Sequence, residues 1–228
     1  MRTFIILLSL VACCLAVLPV KNVDTVRASF TDANIEKVVN QINKEQAASY
    51  FYQAYSKFFK RGDIALDGFS KWFATAAKEE NDHAEKLMDY LNMRGAEINL
   101  DDVKLQTICD KVTEKLSDFP QFNRREACIC NFMSRDLTHT DTECLKGQTA
   151  WFAGLQAMQD SLVLERYVND ALLTLHKETS SDPHLSHMLE HDFLGEQVDS
   201  IKQYADYITQ LTRVGSGFGE YEFDKTLQ

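Results

Sequence analysis

Four stretches of this chain place apolar residues at alternating spacings of three and four, the pattern of helices that bury one face. The first has Thr31 or Asp32 as its N-cap, the second stops before Gly95, and the fourth opens with Asp182 followed by Pro183. The pattern predicts four long helices, over residues 33–60, 67–94, 149–177 and 182–213.

The connections between these helices differ in length, and the difference predicts the topology. The first and third connections are short, so each joins antiparallel neighbours. The second covers residues 95–148, which is long enough to cross the bundle and leave the helices that it joins parallel. A short fifth helix is predicted over residues 218–227. The expected fold is all-α: a four-helix bundle with one long crossover connection and a short C-terminal helix.

Each apolar stripe is interrupted near its midpoint by polar residues. These are Glu45 in the first helix, Glu80 and His83 in the second, Glu165 in the third and Gln197 in the fourth. Midpoints of packed helices of similar length meet at one level, so the five side chains should converge inside the bundle. Buried carboxylates are costly unless cations neutralise them, and the central stripes carry no Lys or Arg. The sequence therefore predicts a metal site.

The types of ligand narrow the choice of metal. Carboxylates with one imidazole suit iron, manganese or zinc. Two ions bridged by one Glu would each pass one electron to oxygen. Tyr52 lies two turns after Glu45 on the same face, either as an aromatic core residue or as a participant in this chemistry. Glu79 lies on an edge of its helix that can turn inward.

The N-terminus and the net charge bear on location and partners. Arg2 precedes an apolar run from Phe4 to Val17 that is too short to span a membrane. With small residues at 14–16, this predicts a secretory signal peptide over 1–16, followed by one domain over 17–228. A lipoprotein signal at Cys13 is the alternative. The formal charge of −10 argues against a nucleic-acid partner, and no later stretch is apolar enough to span a membrane.

Two of the six cysteines lie in the predicted signal peptide. The other four all fall within the long connection, in an insert over residues 105–148. An even number of cysteines in an exported chain predicts two disulfides. Three pairings are possible, of which Cys128–Cys130 is disfavoured by ring strain, and a zinc site is the alternative reading. The four residues are Cys109, Cys128, Cys130 and Cys144.

With these residues in place, the chain resembles a ferritin of the catalytic, heavy-chain type. The resemblance rests on INKEQAASYFYQAY, AAKEENDHAEKL, LVLERYVNDALLTLH, DPHLSHMLEHDFLGEQV and GEYEFDKTL, which together cover most of the chain outside the insert. A bacterioferritin-like protein is disfavoured, because Glu196 is followed three residues later by Asp199 rather than His.

The resemblance implies a ferroxidase centre, in which Fe²⁺ binds at a di-iron site and is oxidised by O₂. Glu45, Glu80 and His83 match one iron position. The second is matched by Glu80 as bridge, Glu165 and Glu79, with Gln197 and Tyr52 alongside.

The family resemblance also implies a hollow shell of about 24 subunits that holds ferric mineral. Asp82 and Glu85 fall near the inward nucleation carboxylates of the family, or else on a plain solvated face. In the threefold channel of the family, His187 and Glu190 stand where an Asp and a Glu are usual, and His176 is a further candidate. Imidazoles attract Fe²⁺ less than carboxylates, so slower and more pH-sensitive iron entry is expected unless His187 points aside.

The insert is the second feature that departs from the family, after the histidine at the channel position. Its charge cluster at residues 124–126 is expected to be solvated surface. Two functions follow from the sequence. The first is an exported subunit that oxidises and stores iron; the alternative is a non-catalytic extracellular iron carrier whose insert recognises a partner. A purely structural bundle is a third reading.

Overall fold

The computed structural model describes residues 26–131 and 152–227. The described ranges contain helices and no β-strand. In chain order the helices are α1 (Asp32–Phe59), α2 (Asp67–Met93), α3 (Leu105–Lys115), α4 (Cys128–Asn131), α5 (Ala153–Glu178), α6 (Pro183–Leu189), α7 (Gly195–Val214) and α8 (Phe218–Thr226). A π-helical turn (Glu190–Leu194) joins α6 to α7, and 3₁₀ turns lie at Leu116–Asp118 and Pro120–Phe122.

Four long rods form the bundle, the fourth being α6 and α7 together. α1 packs along α2, α5 packs along α7, and α1 also contacts α5. The stripe predicted for α1 is buried from Ile35 to Phe59, and that of α2 from Phe69 to Tyr90. Apolar burial at roughly 25 cal/mol per Å² holds these helices together more strongly than their intrinsic propensity does. The predicted bundle, with its crossover and short C-terminal helix, is confirmed.

Three of the predicted helix ends are confirmed. The hydroxyl of Thr31 caps α1 by accepting from the backbone N–H of Asn34 at 3.2 Å. Gly95 follows the end of α2 with a positive φ of 70°, a conformation that glycine adopts without strain. Asp182 caps α6 by accepting from the N–H of Leu185 at 3.0 Å.

The start of the third rod differs from the prediction. Phe152 has a non-helical backbone and α5 begins at Ala153, rather than at residue 149. Residues 149–151 lie outside the described ranges. Near this end, the N–H of Gly154 donates to the carboxylate of Glu220 on α8. The contact joins residues 66 positions apart, so local sequence pattern could not show it.

Two buried carboxylates of α8 hold this helix against the ends of two rods. Glu220 accepts from Gly154 at the start of α5, and Asp224 accepts from the N–H of Phe69 at 2.9 Å at the start of α2. α8 comes so close that a Cβ at Gly68 would lie 1.8 Å from the backbone oxygen of Asp224. Both acids accept from N–H groups in the first turn of a helix, which have no partner within the helix itself.

We expect Glu220→Gln to stabilise the protein at high pH. Burial, reinforced by the charge of Asp224 and opposed by the bond from Gly154, raises the pKa of Glu220 to about 7. The folded chain thus binds the proton more tightly than the unfolded chain, so this group's contribution falls as pH rises from about 4.5 to 7. A glutamine oxygen still accepts from Gly154 without becoming charged. The free energy of unfolding should rise by about 3 kcal/mol at pH 8 and by less than about 1 kcal/mol at pH 5.

Thermal unfolding at both pH values measures this effect. Glu222→Gln, on the exposed side of the same helix, is the matched control. An equal gain at pH 5 and pH 8 would mean that the charge of Glu220 is not the cause.

A disulfide joins two helices of the insert, and a buried ion pair fastens the described part of the insert to the bundle. Cys109 of α3 and Cys128 of α4 are joined, with an S–S distance of 2.04 Å. This is one of the pairings left open by the sequence. Cys144 and the side chain of Cys130 lie outside what the structure describes, so their predicted disulfide stays a prediction. The predicted signal peptide lies outside the described residues as well.

The expectation of a solvated charge cluster at residues 124–126 is wrong for Arg124, whose side chain is 1% exposed. Its guanidinium pairs with the buried carboxylate of Asp160 at 2.5 Å and donates to the backbone oxygen of Gln156 at 3.0 Å. The Tyr55 hydroxyl and the N–H of Cys128 also donate to Asp160. A charged residue can be buried when a partner on another element neutralises it, and the sequence pattern of the insert alone does not reveal that partner.

Candidate metal centre

Two helices bring three ligand atoms together at the predicted level of the bundle. Glu45 projects from α1, and Glu80 and His83 from α2, with all three side chains buried. One ligand atom from each lies within 4.8 Å of the others, a spacing suited to a bound metal ion. Glu80 and His83 share one helix face because they are three residues apart.

Glu165 of α5, Gln197 of α7 and Tyr52 of α1 form a second group of polar side chains. The hydroxyl of Tyr52 and the amide nitrogen of Gln197 both donate to the Glu165 carboxylate. The same nitrogen of Gln197 also donates to the backbone oxygen of Glu165 at 3.0 Å. Glu80 interacts with both Glu45 and Glu165 and therefore stands between the two groups.

Bound cations would stabilise the buried carboxylates of this cluster. Burial raises the pKa of Glu45 and of Glu80 well above the ordinary value, with repulsion between carboxylates adding to it. Burial also raises the pKa of Glu165, against the hydrogen bonds from Tyr52 and Gln197. Oε2 of Glu45 is buried and accepts no hydrogen bond in the described chain, although the Gln41 amide donates to Oε1 at 2.8 Å. In these ranges no Lys or Arg forms a salt bridge with the three carboxylates.

A small cleft opens from this cluster between α2 and α7. Its volume is about 20 Å³, enough for one water-sized ligand, and Glu79, Glu80, Glu165 and Gln197 are among its lining residues. Glu79 is on the exposed edge, and its pKa is raised by partial burial and by the charge of Glu196.

Glu196 also lines this cleft, although the sequence pattern did not place it in the site. Its carboxylate lies 3.1 Å from Nε2 of His83, and its side chain is 46% exposed. The available signal was its position immediately before Gln197, at the start of α7. Its approach to His83 depends on how α7 packs on α2, which the stripe pattern does not specify.

The residues predicted for the channel lie on the exposed side of the fourth rod and in the last turn of the neighbouring helix α5. His176 and Glu190 are joined by a contact of 2.7 Å between Nε2 and Oε1. His187 instead stacks on His191, with ring centroids 5.8 Å apart and nearly parallel planes. The four side chains form two pairs rather than part of the central cluster.

The two residues predicted for nucleation are exposed. Asp82 pairs with Lys78, and Glu85 accepts from the Asn81 amide at 2.8 Å. Neither belongs to the buried cluster, and their nucleation role stays a prediction.

Comparison with known proteins gives one consistent result. The sequence profile of the ferritin-like domain family matches residues 35–214. Yolk ferritin from Lymnaea stagnalis is 41% identical over 203 residues, covering 86% of this chain and 84% of that protein. Soma ferritin from the same organism is 42% identical over 187 residues, covering 81% and 84%. Ferritin heavy chain from Echinococcus granulosus is 38% identical over 207 residues, covering 89% and 96%.

Proposed function

This chain belongs to the ferritin family, and from that premise we propose that it stores iron by oxidising Fe²⁺ with O₂ at a di-iron centre. The supporting observation is the convergence of Glu45, Glu80 and Glu165 inside the bundle without any Lys or Arg salt bridge in the described ranges. The unpaired oxygen of Glu45 is an acceptor that a cation would satisfy.

Each residue has a definite task in this proposal. Glu45 and His83 hold one Fe²⁺, and Glu165 holds the second with help from Glu79. Glu80, which stands between the two groups, is a ligand of both ions. Hard carboxylate oxygens favour Fe³⁺ over Fe²⁺, so the same ligands that admit the reduced ion stabilise its oxidised form. Two Fe²⁺ ions supply two electrons, and O₂ accepts them.

The remaining polar side chains orient the ligands. Gln197 and Tyr52 both donate to Glu165, which fixes the direction of its carboxylate. Gln41 does the same for Glu45. Removing a hydrogen bond that orients a metal ligand commonly lowers metal affinity or activity by about 10- to 100-fold. Glu196, beside His83, stands at the opening through which an ion would enter.

Storage requires a shell, and we propose that the chain assembles into a closed particle of about 24 subunits. Several large apolar side chains are exposed on the isolated subunit, notably Phe218 and Val198. Exposed apolar groups of this kind gain by burial between subunits. Phe218 and Tyr221 of α8 are exposed while Phe223 is buried, so the first two are available for contacts between subunits.

The function is tested by measuring particle mass and iron oxidation on one purified sample. We expect a particle many times the 26.1 kDa subunit mass and a fast rise in absorbance when Fe²⁺ is added in air. The alternative, a non-catalytic carrier that recognises a partner through the insert, predicts the particle without the fast phase. A monomer that binds no iron would reject both.

Export is a separate part of the proposal. In the described ranges, no helix is both long and apolar enough to cross a membrane. N-terminal sequencing of the mature protein should find a start near residue 17. An intact Met1 in the natural protein would reject a cleaved signal peptide.

His187→Asp is expected to speed iron uptake by at least about twofold. If His187 lines the entry channel, an aspartate there supplies a negative charge that attracts Fe²⁺, whereas imidazole is neutral or positive. Stopped-flow uptake at low ionic strength measures the change in rate, and His184→Asp, on the preceding turn, is the control. An unchanged rate in His187→Asp would mean that this residue does not act on iron entry.

A further inference from the structure

A strained turn lies where the insert meets the bundle. Cys128 and Ile129, the first two residues of α4, have positive φ angles of 57° and 42°. This left-handed region is costly for a residue with a side chain, and most of all for a β-branched residue such as isoleucine. Both residues are fully buried. The turn therefore persists only because its surroundings hold it in place.

Two sets of contacts hold this turn. On the bundle side, the N–H of Cys128 donates to Oδ2 of Asp160 at 2.6 Å, and the backbone of Ile129 bonds to the Tyr55 hydroxyl. On the insert side, the disulfide ties Cys128 to Cys109 of α3. If the disulfide is broken, the hydrogen bonds on the bundle side must hold the strained backbone alone.

The buried ion pair depends on the same turn. The guanidinium of Arg124 pairs with Asp160 and also donates to the backbone oxygen of Glu126 at 3.0 Å. The N–H of Ala127, the next residue, donates to Oγ1 of Thr113 on α3 at 2.9 Å. The segment from the arginine to the turn is thus one closed unit, in which the guanidinium and the turn hold each other in position.

This unit protects a peptide bond that trypsin-like proteases recognise. Such proteases bind the side chain of an arginine before they cut the bond after it, and the side chain of Arg124 is only 1% exposed. The unit also covers apolar residues that its opening would expose to water, namely Ile108, Val112, Leu116, Ala127 and Ile129. Opening would therefore change both the protease sensitivity and the exposed surface of the insert.

We propose that the Cys109–Cys128 disulfide is a redox switch, whose reduction opens this segment and makes the bond after Arg124 a cleavage site for proteases. The reductant is a thiol. Two thiol groups become one disulfide, and their two electrons and two protons convert the cysteines into free thiols. The strained backbone at Cys128 favours this reaction, because the opened turn can return to the right-handed region.

The switch responds to the compartment in which the protein lies. In an oxidising compartment the disulfide persists and the segment stays closed, whereas a reducing compartment converts it to the open, cleavable form. Neither form requires iron. Failure of the switch and failure of the proposed iron chemistry are therefore separate results.

Amide hydrogen exchange before and after treatment with dithiothreitol tests the opening. We expect the N–H groups of Ala127 and Cys128 to exchange at least about 10-fold faster after reduction, because their acceptors on α3 and α5 are lost. Leu87, in the buried core of α2, should keep its protection, which distinguishes local opening from unfolding of the bundle. Reoxidation should restore slow exchange. Mass spectrometry of alkylated cysteines identifies which disulfide was reduced.

Limited trypsin digestion tests the cleavage site. It is carried out on Arg125→Gln, so that the neighbouring exposed arginine does not compete. Cleavage after Arg124 should become at least about 10-fold faster when Cys109–Cys128 is reduced. The variant that combines Cys130→Ser with Cys144→Ser is the matched control and should show the same response to dithiothreitol.

Three results would overturn the proposal. The disulfide could resist a concentration of dithiothreitol that reduces a disulfide-bonded peptide. It could be reduced without any change in amide exchange or in cleavage after Arg124. Loss of the response in the Cys130→Ser and Cys144→Ser control would assign the switch to those cysteines instead.

Discussion

Replacing both Glu45 and His83 by glutamine is expected to abolish fast iron oxidation and to make the metal-free protein more stable. Two ligands of one iron position are lost, so the initial rate should fall by a factor on the order of 100 or more, beyond what outer hydrogen bonds contribute. Stability should rise because Glu45 is a buried carboxylate with an unpaired oxygen and a raised pKa. A glutamine in place of Glu45 would keep the bond from Gln41 without the charge.

The two readouts together distinguish a functional cluster from a structural one. A cluster that merely held the helices together would lose stability on substitution, whereas a site assembled for cations gains stability when its charges are removed. Stopped-flow oxidation and thermal unfolding of the metal-free protein measure the two effects. Glu36→Gln, an exposed carboxylate on the same helix, should change neither. Fast oxidation that survives in the double variant would disprove the assignment of the centre.

Arg124→Met is expected to destabilise the protein by about 3–5 kcal/mol, the usual result of leaving one partner of a buried ion pair uncompensated. Asp160 is fully buried, and it also accepts from the Tyr55 hydroxyl and the N–H of Cys128. These neutral donors cannot replace the charge of the guanidinium. At a few degrees per kcal/mol, the unfolding temperature should fall by roughly 10 °C.

Arg125→Met provides the comparison for this prediction, because Arg125 is the next residue and is exposed. It should change stability by less than about 1 kcal/mol. Combining Arg124→Met with Asp160→Asn should recover much of the loss, since the uncompensated charge is then gone. If the single and double variants were equally unstable, packing of the arginine side chain rather than its charge would be responsible.

The buried ion pair of Arg124 and Asp160, which anchors the insert, is close in sequence to the candidate metal centre on both helices that it contacts. Tyr55 lies one turn after Tyr52 on α1, and Asp160 precedes Glu165 on α5. Mutations at the anchor can therefore shift the rods that present the ligands. Iron oxidation by Arg124→Met should be measured below its unfolding transition, so that lost folding is not mistaken for lost chemistry.

Much of the fold could be predicted because its signals are local. Apolar spacing determines which face of each rod is buried, and Thr31, Gly95 and Asp182 mark helix ends through contacts with their own neighbours in sequence. The interruption of each stripe by an acid, imidazole or amide is a local signal of the same kind. For that reason the stripes alone predict the central meeting of Glu45, Glu80, His83, Glu165 and Gln197.

The features that could not be predicted depend on contacts between segments that are distant in sequence. Glu220 caps α5, Arg124 is buried against Asp160, and Glu196 reaches His83, each across an interval that carries no periodic signal. The sequence by itself determined the number of rods, their buried faces and the chemical type of the central site. Only the tertiary structure decided which charges are paired and which remain uncompensated, because the electrostatic cost of a buried group depends on every element packed around it, not on its own helix alone.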